Sequence, residues 1–142
     1  MGMIENYILT TCSEVEADQL TEFRKYIVGL SDGHANQICI FGNGFSGKKL
    51  YDELFNRLVR VDCFCDNSLQ KQGYTMDGCY CINVETLVKE KEQVLVLVSS
   101  KYHETDIIFQ LREMGFPYVV SGTKLEEQLK LAPPGQRDAG NG

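Results

Sequence analysis

A chain of 142 residues has the length of one domain and room for a sizeable core, and its 43% apolar and 24% charged content is ordinary for a water-soluble globular protein. A net charge of −6 argues against a non-specific nucleic-acid binder, so no nucleic-acid partner is expected. No apolar run reaches membrane-spanning length, and Met1 to Thr11 lacks a basic start followed by a long apolar stretch, so neither a membrane partner nor a signal peptide is expected and the cytoplasm is the default compartment.

Residues 1–36 read as an N-terminal helical segment. Ser13-Glu14-Val15-Glu16 fits a capping box, and Leu20, Phe23, Ile27 and Leu30 recur at helical spacing over 13–30. Ser31 to Asn36 is a turn or short linker. The apolar run Ile38-Cys39-Ile40-Phe41 then predicts a strand that leads straight into Gly42-Asn43-Gly44-Phe45-Ser46-Gly47, a G-x-G-x-x-G match. The sequence from Lys48 to Leu58 predicts a helix with Leu50, Leu54 and Leu58 on one stripe. Between a strand and a helix this turn is a candidate dinucleotide site. Gly42 permits the sharp turn, Gly44 lets a diphosphate approach the backbone, and Gly47 lets the helix pack closely on the sheet. Unpaired N–H groups at the helix start, aided by the helix dipole, favour the negative charge of phosphates.

Val59 to Cys65 predicts the second strand, ending at Asp66, about 20 residues after the first glycine, where such a motif places an acid. A carboxylate there accepts hydrogen bonds from ribose hydroxyls and repels a 2′-phosphate, which favours NAD-type over NADP-type ligands. Asp66-Asn67-Ser68 is also good turn chemistry in its own right. Residues 67–78 read as an ordered loop, Cys79 to Ile82 as a short strand, and Asn83 as the cap of a short helix through Val88. The run Val94-Leu95-Val96-Leu97-Val98 is what a central parallel strand covered on both faces requires. A helix follows with Ile107, Ile108, Leu111 and Met114 on one face, stopping at Gly115. Phe116 to Val120 predicts a fifth strand, and Thr123-Lys124-Leu125-Glu126 a capping box for a last helix through Leu129. Residues 132–142 read as a flexible, Gly-rich tail.

Strands alternating with helices predict an α/β fold: a Rossmann-like, mostly parallel sheet of about five strands flanked by helices, spanning 37–131, with an extra N-terminal helix. Ligands of such sheets bind at the carboxyl ends of the strands, where strand order reverses. That places three pieces on one rim: the glycine turn, Asp66-Asn67, and Ser99-Ser100-Lys101. The hydroxyls of Ser99 and Ser100 suit a ribose or phosphate, or equally a strand-to-helix turn, and Lys101 suits an anionic group or plain solvation. Tyr102 and His103 carry proton-transfer potential but no identifiable partner, so catalytic residues stay unassigned. Lys48 and Lys49 either sit over a phosphate or line a solvated face. The six cysteines include two C-x-C pairs, Cys63/Cys65 and Cys79/Cys81. On strands these read as core residues rather than metal ligands, and no metal site is expected.

The segments Ile38 to Gly47, Asp62 to Ser68, Lys71-Gln72-Gly73, Asp77 to Cys81, and Val96 to Ser100 resemble a group of small Rossmann-like domains. Similar domains occur at the front of polysaccharide-biosynthesis sugar-nucleotide dehydratases and epimerases of the CapD type, and in sugar acyltransferases, where they hold the sugar nucleotide. The resemblance covers roughly 37–121 and implies phosphate-turn roles for Gly42, Gly44 and Gly47 and a ribose role for Asp66. It departs at Asn43, where such families often have Ala, and no catalytic half follows residue 131. The expected function is therefore the binding of NAD or a nucleotide-sugar such as a UDP-sugar by an accessory module in sugar-nucleotide metabolism. The alternative is a small enzyme, an oxidoreductase or a sugar-nucleotide-modifying one, completed by a homodimer or a catalytic partner protein. An S-adenosylmethionine-dependent methyltransferase is a third reading.

Overall fold

The computed structural model describes residues 25–131 apart from 28, 74 and 77. The capping box at 13–16, Cys12, most of the expected first helix and the expected tail lie outside the described residues; 25–27 are helical.

Six strands form one sheet in the order β3-β4-β2-β1-β5-β6. They are β1 (Gln37–Phe41), β2 (Cys63–Cys65), β3 (Thr75–Met76), β4 (Cys79–Ile82), β5 (Val94–Val98) and β6 (Val119–Ser121). All neighbours run parallel except β3 and β4, which form an antiparallel hairpin at one edge. Without β3, the five parallel strands run outward in both directions from β1, so the chain reverses its winding between β1 and β5. This is the Rossmann-like arrangement expected from the alternating pattern. Cys39 sits in register with Cys63 on one side and with Val96 on the other.

Among the described residues, α1 (Phe45–Asn56), the single turn α2 (Val84–Leu87), α3 (Glu104–Glu113) and α4 (Gly122–Leu131) pack against the faces. Each face of the sheet has its own apolar cluster. One gathers Ile40, Leu50, Leu54, Phe64 and Leu97 with Leu125 and Leu129 of α4, and the other gathers Cys39, Phe41, Cys65, Val96 and Val98 with Leu111 of α3. All five residues of β5 are buried, as a strand covered on both faces must be. No helix among the described residues is long and apolar enough to cross a membrane.

The differences from the sequence reading have local causes. The second strand is pairing-competent only from Cys63, because Leu58, at φ +61°, ends α1 and the Val59 N–H turns back to the Leu54 carbonyl. Asp62 instead fastens the start of β1, its side chain accepting the Ile38 N–H at 2.8 Å. Within 67–78 the loop is not irregular throughout: a 3₁₀ turn (Leu69–Lys71) precedes β3. The last strand begins at Val119 rather than Phe116, since Phe116 is buried against the α3 side of the core. The cap of α4 is Ser121, whose Oγ accepts the Lys124 N–H at 3.1 Å, and not Thr123, whose hydroxyl donates to Glu104 Oε1 at 2.6 Å.

Leu97 is fully buried in the centre of β5. Leu97→Ala should therefore lower the unfolding free energy by about 2–5 kcal/mol in urea titration, whereas Phe109→Ala, on an exposed position of α3, should stay within about 0.5 kcal/mol.

Candidate functional site

The carboxyl ends of β1, β2 and β5 open into a cleft of about 620 Å³. Its floor is the glycine turn, one wall is the segment after β2, and the other is the β5–α3 connection. Gly42, Gly44, Phe45, Ser46, Asp66, Asn67, Ser99, Ser100 and Lys101 all line it. Asn43 and Gly47 support it from beneath. Lys48 and Lys49, the lysines after the motif, are not among the residues that line it.

The glycines serve distinct needs. Gly42 has φ +129°, and a β-carbon there would lie 2.2 Å from the Ser99 carbonyl oxygen. A β-carbon on Gly47 would lie 1.8 Å from the Gly42 carbonyl oxygen. These two positions hold β1, α1 and β5 closer together than any side chain allows. Gly44 differs, because its backbone is extended (φ −129°) and any residue adopts that conformation. A β-carbon there would point into the cleft and meet Lys71 Nζ at 3.1 Å.

Gly44 is also the N-cap of α1, so no side chain caps the helix, and its first turn contains no acidic residue. The amides at this end of the twelve-residue helix, with their share of the helix dipole, are left for an anion. A second feature points the same way. Ser99 is only 3% exposed, and its Oγ has no hydrogen-bond partner. A buried hydroxyl without a partner at the edge of a cleft is a group waiting for one.

Asp66 holds the turn in place. Its Oδ2 accepts the Asn43 N–H and its Oδ1 the Ser68 N–H, both at 2.8 Å. The sequence reading gave this carboxylate to a ribose; the structure shows that it already fastens two backbone amides. Asn43 is buried, and its Nδ2 donates to the Lys71 carbonyl at 3.1 Å. Asn67 pairs with Gln110 of α3 through both amide atoms, at 3.0 and 3.3 Å, bridging the two walls. Ser100 Oγ accepts the His103 N–H at 3.2 Å, which is the turn-forming role. Lys101 Nζ lies 5.4 Å from the centre of the Tyr102 ring, and both side chains are exposed on the rim. Lys49 is drawn away from the cleft, 3.9 Å from Glu126 and over the Phe45 ring.

Lys71, Asp106 and Gln110 line the cleft without having been singled out. Lys71 stands in one of the segments that carry the resemblance, but no spacing rule marks a lysine in that loop. Asp106 and Gln110 reach the cleft because α3 crosses behind it, which only the topology reveals.

Among the described residues, no group of three or more His, Cys, Asp or Glu is placed to hold a metal. Cys39, Cys65, Cys79 and Cys81 are buried as core residues, and Cys63 is half-buried. The Cys39 thiol hydrogen-bonded to Cys63 holds Cys63 below the ordinary thiol value, with burial opposing. Burial pushes Cys81 up to about 11 and raises Cys65 and Cys39 further.

No protein-family model matches the sequence, and no curated protein matches it. Among solved structures, the chain is similar to the crystal structure of RSP, a Rex-family repressor, at 12% identity and a TM-score of 0.49 over 81% of this chain. The match spans 66% of that chain's length. At this identity and score the likeness carries no argument about function, and it lends nothing to the CapD-type group in particular. The expectation of no nucleic-acid partner is not carried further, since that neighbour is itself described as a repressor. The expectation rested on net charge, which sums over a whole surface and is silent about local patches.

Three outcomes follow from this geometry. Asp66→Asn loses a charged acceptor for two amides and should cost about 1–3 kcal/mol of stability by chemical denaturation. In a Cys12→Ser background near neutral pH, Cys63 should be the first described cysteine to react with a thiol reagent. The same pKa shifts give a stability term. Cys81 ionises later in the folded chain than in the unfolded one, so its contribution is complete below about pH 9 and lost as pH rises toward about 11; melting temperatures should fall across that window.

Proposed function

We propose that residues 37–131 form a nucleotide-binding unit whose cleft takes a diphosphate-containing nucleotide, NAD-type first. The reading is carried by one observation: the uncapped start of α1, bare at Gly44, opens into a cleft beside the unpartnered Ser99 hydroxyl. A cleft of about 620 Å³ is of the size that cofactors occupy.

In this reading the amides after Gly44, including those of Phe45 and Ser46, receive the diphosphate, while Gly42 and Gly47 keep the backbone close enough to present them. Asp66 and Asn67 stand on the ribose side. Each Asp66 oxygen accepts one amide and retains a lone pair for a hydroxyl. Its negative charge repels a 2′-phosphate. Ser99, Ser100 and Lys101 face the ligand from the opposite wall. Tyr102 and His103 are exposed on the rim of the cleft that Asp106 also lines, and no proton-transfer role is assigned to them. Such a unit acts as an accessory module, alone, as a homodimer or beside a catalytic partner protein, in the cytoplasm. A nucleotide-sugar shares the diphosphate, and sugar-nucleotide metabolism is the setting that the sequence resemblance offers.

A thermal-shift panel tests this. NAD should raise the melting temperature by mass action, with NADP weaker. UDP- and GDP-sugars, S-adenosylmethionine, coenzyme A and ATP complete the panel. Gly44→Val should melt like the native chain without ligand, since its backbone tolerates a side chain, and should lose the ligand-induced rise. A panel in which no nucleotide shifts the native chain would sink the proposal; preference for NADP would remove the role given to Asp66.

A further inference from the structure

The nucleotide reading leaves a charge unbalanced. A diphosphate ester carries about two negative charges, while a helix start supplies only about half a positive one. Of the two lysines that follow the glycine motif neither lines the cleft, Lys49 lying toward Glu126 and Phe45, and Lys101 stands out on the rim over Tyr102. The cation placed at the turn comes from elsewhere in the chain. Lys71 Nζ is 3.1 Å from where a Gly44 side chain would begin, on the cleft side of the very glycine that leaves room for phosphate. Among the described residues no carboxylate forms an ion pair with it.

The position of Lys71 is built rather than incidental. It ends the 3₁₀ turn at Leu69–Lys71, and its N–H donates to the Ser68 carbonyl at 3.0 Å. Ser68 is held in turn by Asp66 Oδ1, and Asp66 Oδ2 holds the Asn43 amide. The circuit closes where the buried Asn43 side chain grips the Lys71 carbonyl. The loop after β2 is therefore fastened to the glycine turn at two points, with the ammonium group set over Gly44.

We propose that Lys71 is a diphosphate-binding residue, supplying from the loop after β2 the counter-charge that the glycine turn lacks. This rests on the nucleotide reading above and deepens it: the site selects nucleoside diphosphates over monophosphates, and Lys71 is the source of that selection. An ammonium donates charge-assisted hydrogen bonds to phosphate oxygens, and its removal is felt in proportion to the charge it faces.

Calorimetric titration of the native chain, Lys71→Gln and Lys71→Arg with ADP, UDP, AMP, UMP and inorganic pyrophosphate tests the assignment. Lys71→Gln should weaken the diphosphates and pyrophosphate about tenfold or more, and the monophosphates by less than about threefold. Lys71→Arg should keep most of the diphosphate affinity. The Lys71 side chain is exposed, so the ligand-free melting temperature should not move, which separates lost affinity from lost fold. If Lys71→Gln binds diphosphates as the native chain does, the assignment to Lys71 is wrong and the nucleotide reading stands. If the native chain binds none of the five, the Lys71 assignment falls, and the nucleotide reading falls with it when NAD also leaves the melting temperature unmoved.

Discussion

The fold turns on two close approaches of bare backbone. Gly42 passes the Ser99 carbonyl where β1 and β5 diverge, and Gly47 passes the Gly42 carbonyl where α1 settles on the sheet. Neither contact leaves space for a single additional carbon. Because β1 and β5 are also the strands between which the winding reverses, the place of tightest packing is the place where the two halves of the sheet part. Helices leave for opposite faces from this point, and the cleft is the space they vacate. The same two contacts therefore set the depth of the core and the existence of the site.

What the sequence makes legible is whatever depends on period and on local turn chemistry. The Val/Leu run of β5 announces a strand buried on both faces, and it is buried throughout. The glycines announce a strand-to-helix turn, and a parallel sheet puts that turn and Ser99-Ser100 on one rim. What stays hidden is set by partners distant in the chain. Asn67 and Gln110 find each other through the crossing of α3 behind the loop. Asp62 is a polar residue in a run that reads as strand, and it serves as the anchor for the start of β1. Glu104, from another helix, takes the hydroxyls of both Thr123 and Ser121, the second of which caps α4.

Asp66 and Asn43 have structural employment that the sequence reading did not foresee. An acid after the second strand is what the glycine motif leads one to look for, and it lines the cleft. Its oxygens nevertheless hold the turn and the following loop together. Asn43, the departure from the resembling families, is the counterpart of that arrangement: an alanine in its place has no amide to hold the Lys71 carbonyl. The shape of the turn and the placement of the loop over it are thus one structure, and a change in either propagates to the other through charged and amide hydrogen bonds rather than through packing.

The margins of the sheet bear on how copies of this chain can meet. On one side the outermost strand, β6, has three residues, and on the other the parallel series is closed off by an antiparallel hairpin whose outer strand has two. Such short borders present few unpaired peptide groups in a row, so a neighbouring chain gains little by extending the sheet. Self-association of the described fold is left to its helical flanks, where side chains rather than main-chain ladders decide which surfaces fit.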